Sequence, residues 1–158
     1  MSFYNFETND PEREDIHYMQ LAIAEAQKAY DADEVPIGAI VVCRNKIAGR
    51  GYNLTERLND VTAHAEMQAL TAAAQTLGGK YLKECTLYVT IEPCVMCAGA
   101  SYWMQIGRIV YGAREEKRGF LKKAPAVLHP KTQLKGGVLE EECGALMTRF
   151  FEQKRNQR

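Results

Sequence analysis

Thr62-Ala63-His64-Ala65-Glu66 and, about 27 residues further on, Pro93-Cys94-Val95-Met96-Cys97 are the stretches whose reading decides the fold and chemistry of this chain. One imidazole and two thiolates are ligand types that zinc prefers, and a tetrahedral ion held by three protein ligands keeps its fourth position for water. Cys94 and Cys97 are three apart, so on a helix both sulfurs lie on one face within one turn. Pro93 marks that turn as a helix N-terminus, where unpaired N–H groups and the positive dipole end favour thiolates. Glu66, two residues from His64, is placed to handle the protons of a metal-bound water. A lone C-x-x-C is shared by redox and structural zinc motifs, whereas its pairing with H-x-E is far more specific. A closed structural knot would need a fourth protein ligand, such as Cys85, His17 or His129, and would leave Glu66 without a task. The residues therefore point to one catalytic zinc per chain, with His64, Cys94 and Cys97 as ligands and Glu66 as general base and acid.

Around these motifs the chain alternates helical and extended segments. His64 opens a helix carrying Met67, Leu70, Ala73, Ala74 and Leu77, closed by Gly78-Gly79. Pro93 opens another through Cys97, Ala98, Ala100 and Trp103 to Gly107. Residues 86–91 and 108–112 read as strands on either side of it. Upstream, Val35-Pro36-Ile37-Gly38 leads into a buried strand at 39–43. A polar turn at Arg44-Asn45-Lys46 then returns residues 47–52 as the antiparallel partner. Asp10-Pro11 caps the first helix, whose stripe of Ile16, Met19, Ile23, Ala26 and Tyr30 is expected in the core. Residues 114–137 read mostly as loop, with room for a short strand or helix. A terminal helix starts at Glu140-Glu141-Glu142, with Leu146, Phe150 and Phe151 expected inward and Lys154, Arg155 and Arg158 near its end. This alternation predicts a layered α/β domain with at least one right-handed crossover. The two ligand-bearing helix N-termini should converge at one edge of the sheet, where ligands of α/β proteins commonly bind.

At 158 residues, 46% hydrophobic and 25% charged, the chain fits a single domain over residues 1–158, with 1–12 expected as a partly flexible extension. It carries no apolar run of membrane length, and its start lacks the basic and apolar regions of a signal peptide, so a soluble cytoplasmic protein is expected. Five cysteines, an odd number, argue against a secreted disulfide framework; Cys43, Cys85 and Cys143 read as small core residues. Net charge is zero, yet residues 1–107 hold 8 Lys+Arg against 14 Asp+Glu, and residues 108–158 hold 12 against 6. That asymmetry hints at a polyanionic partner for the basic half, or at two sets of solvated surface charges.

The joint motif resembles that of the cytidine deaminase-like superfamily and, within it, most closely that of the bacterial tRNA adenosine deaminases. Glu34-Val35-Pro36-Ile37-Gly38-Ala39, Gly51-Tyr52-Asn53, Leu87-Tyr88-Val89-Thr90-Ile91-Glu92 and Phe150-Phe151 followed by basic residues extend the likeness over nearly the whole chain. The resemblance implies a three-layer α/β/α fold with a central mixed sheet, and a homodimer. It also implies conversion of the wobble adenosine of a tRNA anticodon to inosine. It assigns Asn53 to hydrogen-bonding the purine and places backbone of Val35, Pro36, Ile37 and Ala65 near the base. An amide suits a purine edge because it both donates and accepts, although Asn53 also reads as a strand-end turn residue. Lys117, Arg118, Lys122, Lys123 and Arg155 are the expected contacts to the anticodon loop.

The likeness has departures. Where those enzymes typically show Asp-x-Lys-x-Gly followed by a Gly-Ser segment, this chain reads Glu115-Glu116-Lys117-Arg118-Gly119 and then Phe120-Leu121-Lys122-Lys123, with fewer residues before His129. Tyr102-Trp103 looks like the corresponding pair of small guanine deaminases, which keeps a free purine base such as guanine as the alternative substrate. A zinc-stabilised RNA-binding or scaffold protein would use the basic half but gives Glu66 no role.

Overall fold

Residues 10–157 are described by a computed structural model. Of the expected N-terminal extension, residues 1–9 lie outside the described residues. Asp10 caps helix α1 (Pro11–Asp31), its carboxylate accepting from the Glu12 N–H at 3.1 Å. Strands β1 (Gly38–Cys43) and β2 (Lys46–Tyr52) form a hairpin whose two turn residues, Arg44 and Asn45, both take left-handed φ of 52° and 62°. Helix α2 (Ala65–Leu77) stops on Gly78, also left-handed. Strand β3 (Cys85–Ile91), helix α3 (Val95–Met104) and strand β4 (Arg108–Ala113) follow. The basic loop then holds a short helix α4 (Phe120–Lys123) and a short strand β5 (Gln133–Lys135) before helix α5 (Glu140–Asn156).

The sheet order is β2-β1-β3-β4-β5, with β1 antiparallel to both its neighbours and β3, β4 and β5 mutually parallel. Helices α1 and α5 pack on one face; α2, with α3 beside it, covers the other. The result is the three-layer α/β/α arrangement around a mixed sheet. Alternation along β1 divides the core: Ala39 and Val41 join Leu70, Leu87, Val89 and Ile109 under α2, while Ile40 and Val42 join Met19, Tyr88 and Val110 under α1. Because β1 runs against β3, Gly38 and Tyr52 lie at the same end of the sheet as Ile91 and Ala113, the end where α2 and α3 begin.

Three expected core positions face solvent instead. In α1 the buried face is Asp15, Tyr18, Met19, Ala22, Glu25, Ala26 and Ala29, which leaves Ile16 exposed. The helix lies so close to β1 that a β-carbon at Gly38 would collide with the Ala22 carbonyl, so alanines make the contact that larger residues could not. In α2 the same close approach, over Gly49 and Gly51, selects Ala65, Ala69 and Ala73 and leaves Leu77 exposed. In α5 the adjacent pair Phe150 and Phe151 splits, because neighbours on a helix point about 100° apart; Phe150 is buried and Phe151 exposed. Helix α3 also ends earlier than its apolar pattern suggested, at Met104, where Gln105 turns left-handed at φ 54°.

The charge asymmetry of the sequence is partly neutralised within the fold. Asp15, 1% exposed, accepts from Arg108 at 2.7 and 2.8 Å, from Lys135 at 3.0 Å and from the Tyr88 hydroxyl at 2.8 Å. Burial pushes its carboxyl up, but these hydrogen bonds outweigh that and hold it below the ordinary aspartate value. Arg114 pairs with Glu92 and Lys154 with Asp33, so four cations of the basic half are taken by acids of the acidic half. No helix among the described residues is long and apolar enough to cross a membrane.

Candidate metal centre and active site

His64 and Cys94 occupy equivalent places, each the N-cap of its helix with extended backbone and no capping hydrogen bond from its side chain. Their side chains are thereby free for each other, and Cys97 rises from the first turn of α3 to meet them. Both sulfurs lie 3.5 Å from His64 Nδ1, and the three donor atoms fall within 4.8 Å of one another. Zinc bond lengths of about 2.0–2.1 Å to nitrogen and 2.3 Å to sulfur, at a tetrahedral angle, imply nitrogen–sulfur separations of about 3.6 Å. The donor set and its spacing thus fit a tetrahedral zinc.

The electrostatics call for a cation. A hydrogen bond from Cys97 does most to hold the Cys94 thiol down, at about 4, with His64 adding to the effect against burial. Cys97 is driven the other way by its hydrogen bond to Cys94, by burial and by the charge of Glu66. One thiolate forms readily, but a second beside it needs positive charge between them. Glu66, 4% exposed, is pushed up to about 6, chiefly by burial, with its own backbone N–H acting in the opposite direction. A carboxylate with that value can both take and return a proton near neutrality.

The other nominated residues fall into two groups. Asn53, Val35, Pro36, Ile37 and Ala65 come together at this end of the sheet: the Asn53 N–H donates to the Ile37 carbonyl at 3.1 Å, and a β-carbon at Gly51 would crowd the Ala65 carbonyl. Leu54 donates to the Ala63 carbonyl at 3.0 Å, tying the Asn53 turn to the approach of α2. Asn53 is buried, and its amide is 3.4 Å from the Thr55 hydroxyl. The five nominated cations are all exposed and enter no ion pair among the described residues: Lys117 and Arg118 on the 114–119 turn, Lys122 and Lys123 on α4, Arg155 on α5. Arg155 shares a concavity of about 420 Å³ with Arg114, Glu115 and Phe151.

Two buried carboxylates beside the site escaped the sequence reading. Glu34 accepts from the Glu56 and Arg57 N–H groups, both at 2.9 Å, and so holds the loop after Asn53 against the Val35-Pro36-Ile37 segment. Glu92 accepts from three groups of the loop after β4. The available signal was an acid placed directly against an apolar run, at Glu34-Val35 and Ile91-Glu92.

Residues 12–113 match the family model of the cytidine and deoxycytidylate deaminase zinc-binding region. A tRNA-specific adenosine deaminase of Agrobacterium fabrum is 40% identical over 147 residues, covering 90% of this chain and 97% of that protein. A solved structure from a study of A-to-I editing by tRNA:A34 deaminases at the wobble position of transfer RNA superimposes with a TM-score of 0.77. It is 40% identical and covers 82% of this chain and 98% of its own. A guanine deaminase of Bacillus subtilis is 33% identical, with a TM-score of 0.61, and covers 70% of this chain and 75% of that one.

Proposed function

The chain belongs to the cytidine and deoxycytidylate deaminase zinc-binding family, and from that premise we propose that it is a zinc-dependent hydrolytic deaminase converting the wobble adenosine of a tRNA anticodon to inosine. The observation that carries the reading is the buried Glu66 carboxyl set against a three-donor cluster whose spacing fits a tetrahedral zinc. His64, Cys94 and Cys97 are the ligands, one ion per chain, in a single deaminase domain over residues 1–158. A zinc ion bound there supplies Lewis acidity that brings the pKa of a coordinated water to roughly 7.

Glu66 takes a proton from the attacking water and delivers it to the ring nitrogen beside the reacting carbon. A second transfer through the same carboxyl goes to the exocyclic amine, which leaves as ammonia; adenosine and water become inosine and ammonia. Asn53 donates to and accepts from the purine edge, and the backbone of Val35, Pro36, Ile37 and Ala65 forms the wall around it. An anticodon loop presents unstacked bases, so adenine enters without a duplex being melted. Lys117, Arg118, Lys122, Lys123 and Arg155 meet its phosphates.

The protein acts as a homodimer in the cytoplasm, with its RNA. Supporting a second copy is the outer face of α3, where Val95, Met96, Tyr102 and Trp103 are exposed, Trp103 at 76%. Sedimentation at micromolar concentration should give a dimer; monomer alone would remove that part. A second reading, deamination of free guanine, is favoured by the Bacillus subtilis likeness and the Tyr102-Trp103 pair. It leaves the exposed cations unexplained. The test is incubation of an anticodon stem-loop carrying adenosine at the wobble position with the zinc-loaded protein: inosine should appear at that position only, with one ammonia released per inosine.

A further inference from the structure

We propose that Glu92 is a positioning residue that clamps the 114–121 loop onto the metal-binding turn, and that this clamp sets affinity for an extended RNA substrate without taking part in proton transfer. Only the substrate in this statement rests on the deaminase reading above; the clamp itself is read from contacts.

Glu92 continues the sheet through its backbone, donating to the Ala113 carbonyl at 2.8 Å, while its side chain serves the loop. One carboxylate oxygen accepts from Arg114 Nε and from the Glu115 N–H, both at 3.3 Å; the other accepts from the Leu121 N–H at 3.1 Å. The two ends of the loop are thus drawn to one fully buried carboxylate. Its middle passes directly over the same group: a β-carbon at Gly119 would collide with Glu92 Oε2. The Phe120 N–H donates to the Pro93 carbonyl at 3.0 Å, and Gly119 makes a single antiparallel bridge with the ligand Cys94.

From these anchors the rest of the turn is built. Glu115 accepts from the Lys117 N–H at 2.9 Å and the Arg118 N–H at 3.3 Å, so the exposed cations at 117 and 118 have their place fixed relative to Cys94 through Glu115 and Glu92. A buried carboxylate is costly unless its lone pairs are satisfied. Among the described residues, all the side-chain hydrogen-bond partners of Glu92 come from this loop, so loss of its charge should release the loop before it disturbs the helix.

The test uses two variants that reach the clamp from opposite sides. Glu92→Gln keeps the shape but turns an N–H₂ group toward backbone N–H donors; Gly119→Ala intrudes on the carboxylate from the loop. Zinc content, amide hydrogen exchange at residues 115–121 and steady-state kinetics on a wobble-adenosine stem-loop are measured for both and for the unaltered chain. Both variants should hold one zinc per chain and exchange those amides about tenfold faster or more. They should also raise KM for the RNA about tenfold or more, with kcat within about threefold. A fall in kcat at unchanged KM, or unchanged exchange at 115–121, would overturn the proposal. If Glu92→Gln does not fold, Gly119→Ala carries the same comparison. If the unaltered chain fails to deaminate the RNA, the functional reading falls, and the clamp is then judged on exchange alone, faster in both variants or not.

Discussion

Replacing Asp15 with alanine should cost this protein more stability than any surface change, because its carboxylate joins α1 to three strands at once. Its four hydrogen bonds, to Arg108, Lys135 and Tyr88, close a network between the first helix and β3, β4 and β5. Removing one partner of a buried ion pair typically costs about 3–5 kcal/mol, most of it for the charge left behind. Here the side chains of Arg108 and Lys135 are 27% and 38% exposed and can regain some water, which argues for the lower end. The Tyr88 hydroxyl, left unpaired in a buried setting, adds about 1 kcal/mol. A total near 4 kcal/mol should lower the melting temperature by on the order of 10 °C in a domain of this size. The sign with pH follows from the depressed carboxyl: its contribution is complete above the ordinary aspartate value and is lost as pH falls through the folded-state value. The gap between wild type and Asp15→Ala, read by circular dichroism melts, should therefore be largest near neutrality and close in acid. A melting temperature within about 2 °C of wild type at pH 7 would refute this account of the network.

Glu66→Gln should retain zinc and lose about 100-fold or more of turnover, read by metal analysis beside ammonia release. In the zinc-free protein the same change should stabilise: the folded-state value of about 6 lies above the ordinary 4.5, so the cost of ionising the buried carboxyl builds as pH rises from 4.5 to about 6 and is constant above that. At pH 8 the gain should be about 2 kcal/mol, shrinking as pH falls and vanishing near about pH 4 in denaturant titrations. Stripping the metal with a chelator should abolish turnover and lower the melting temperature, and zinc readdition should restore both; full activity in the stripped protein would remove the metal from the mechanism. Neutralising Lys117, Arg118, Lys122, Lys123 and Arg155 together should raise KM for RNA and flatten its salt dependence, leaving single-turnover chemistry at saturating RNA intact. An unchanged salt slope would place RNA contact elsewhere.

The cluster of His64, Cys94 and Cys97 was legible because ligand chemistry restricts residue type and the helix starts restrict spacing. Strands β1 to β4 were legible because they hold apolar or β-branched residues bounded by turn signals; β5, three mostly exposed residues at the sheet edge, carries no such pattern and was read within a loop. Which side of each helix faces inward was less so. Ile16 and Leu77 have the hydrophobicity of core residues, but the sheet approaches at Gly38, Gly49 and Gly51, and only alanines fit there. The buried acids were hidden for a different reason: Asp15, Glu34 and Glu92 find their partners 73 to 120, 22 and 23, and 22 to 29 residues away. No local pattern encodes such pairings. The net positive count of residues 108–158 misled in part for the same reason, since Arg108, Arg114, Lys135 and Lys154 belong to internal ion pairs.

The most direct measurement is turnover of a transcribed tRNA carrying adenosine at the wobble position, set beside free guanine, adenine, cytidine and adenosine under one condition of salt and zinc. The account predicts inosine in the tRNA at a kcat/KM well above that for any free base or nucleoside. Efficient deamination of guanine with the tRNA left unmodified would contradict it.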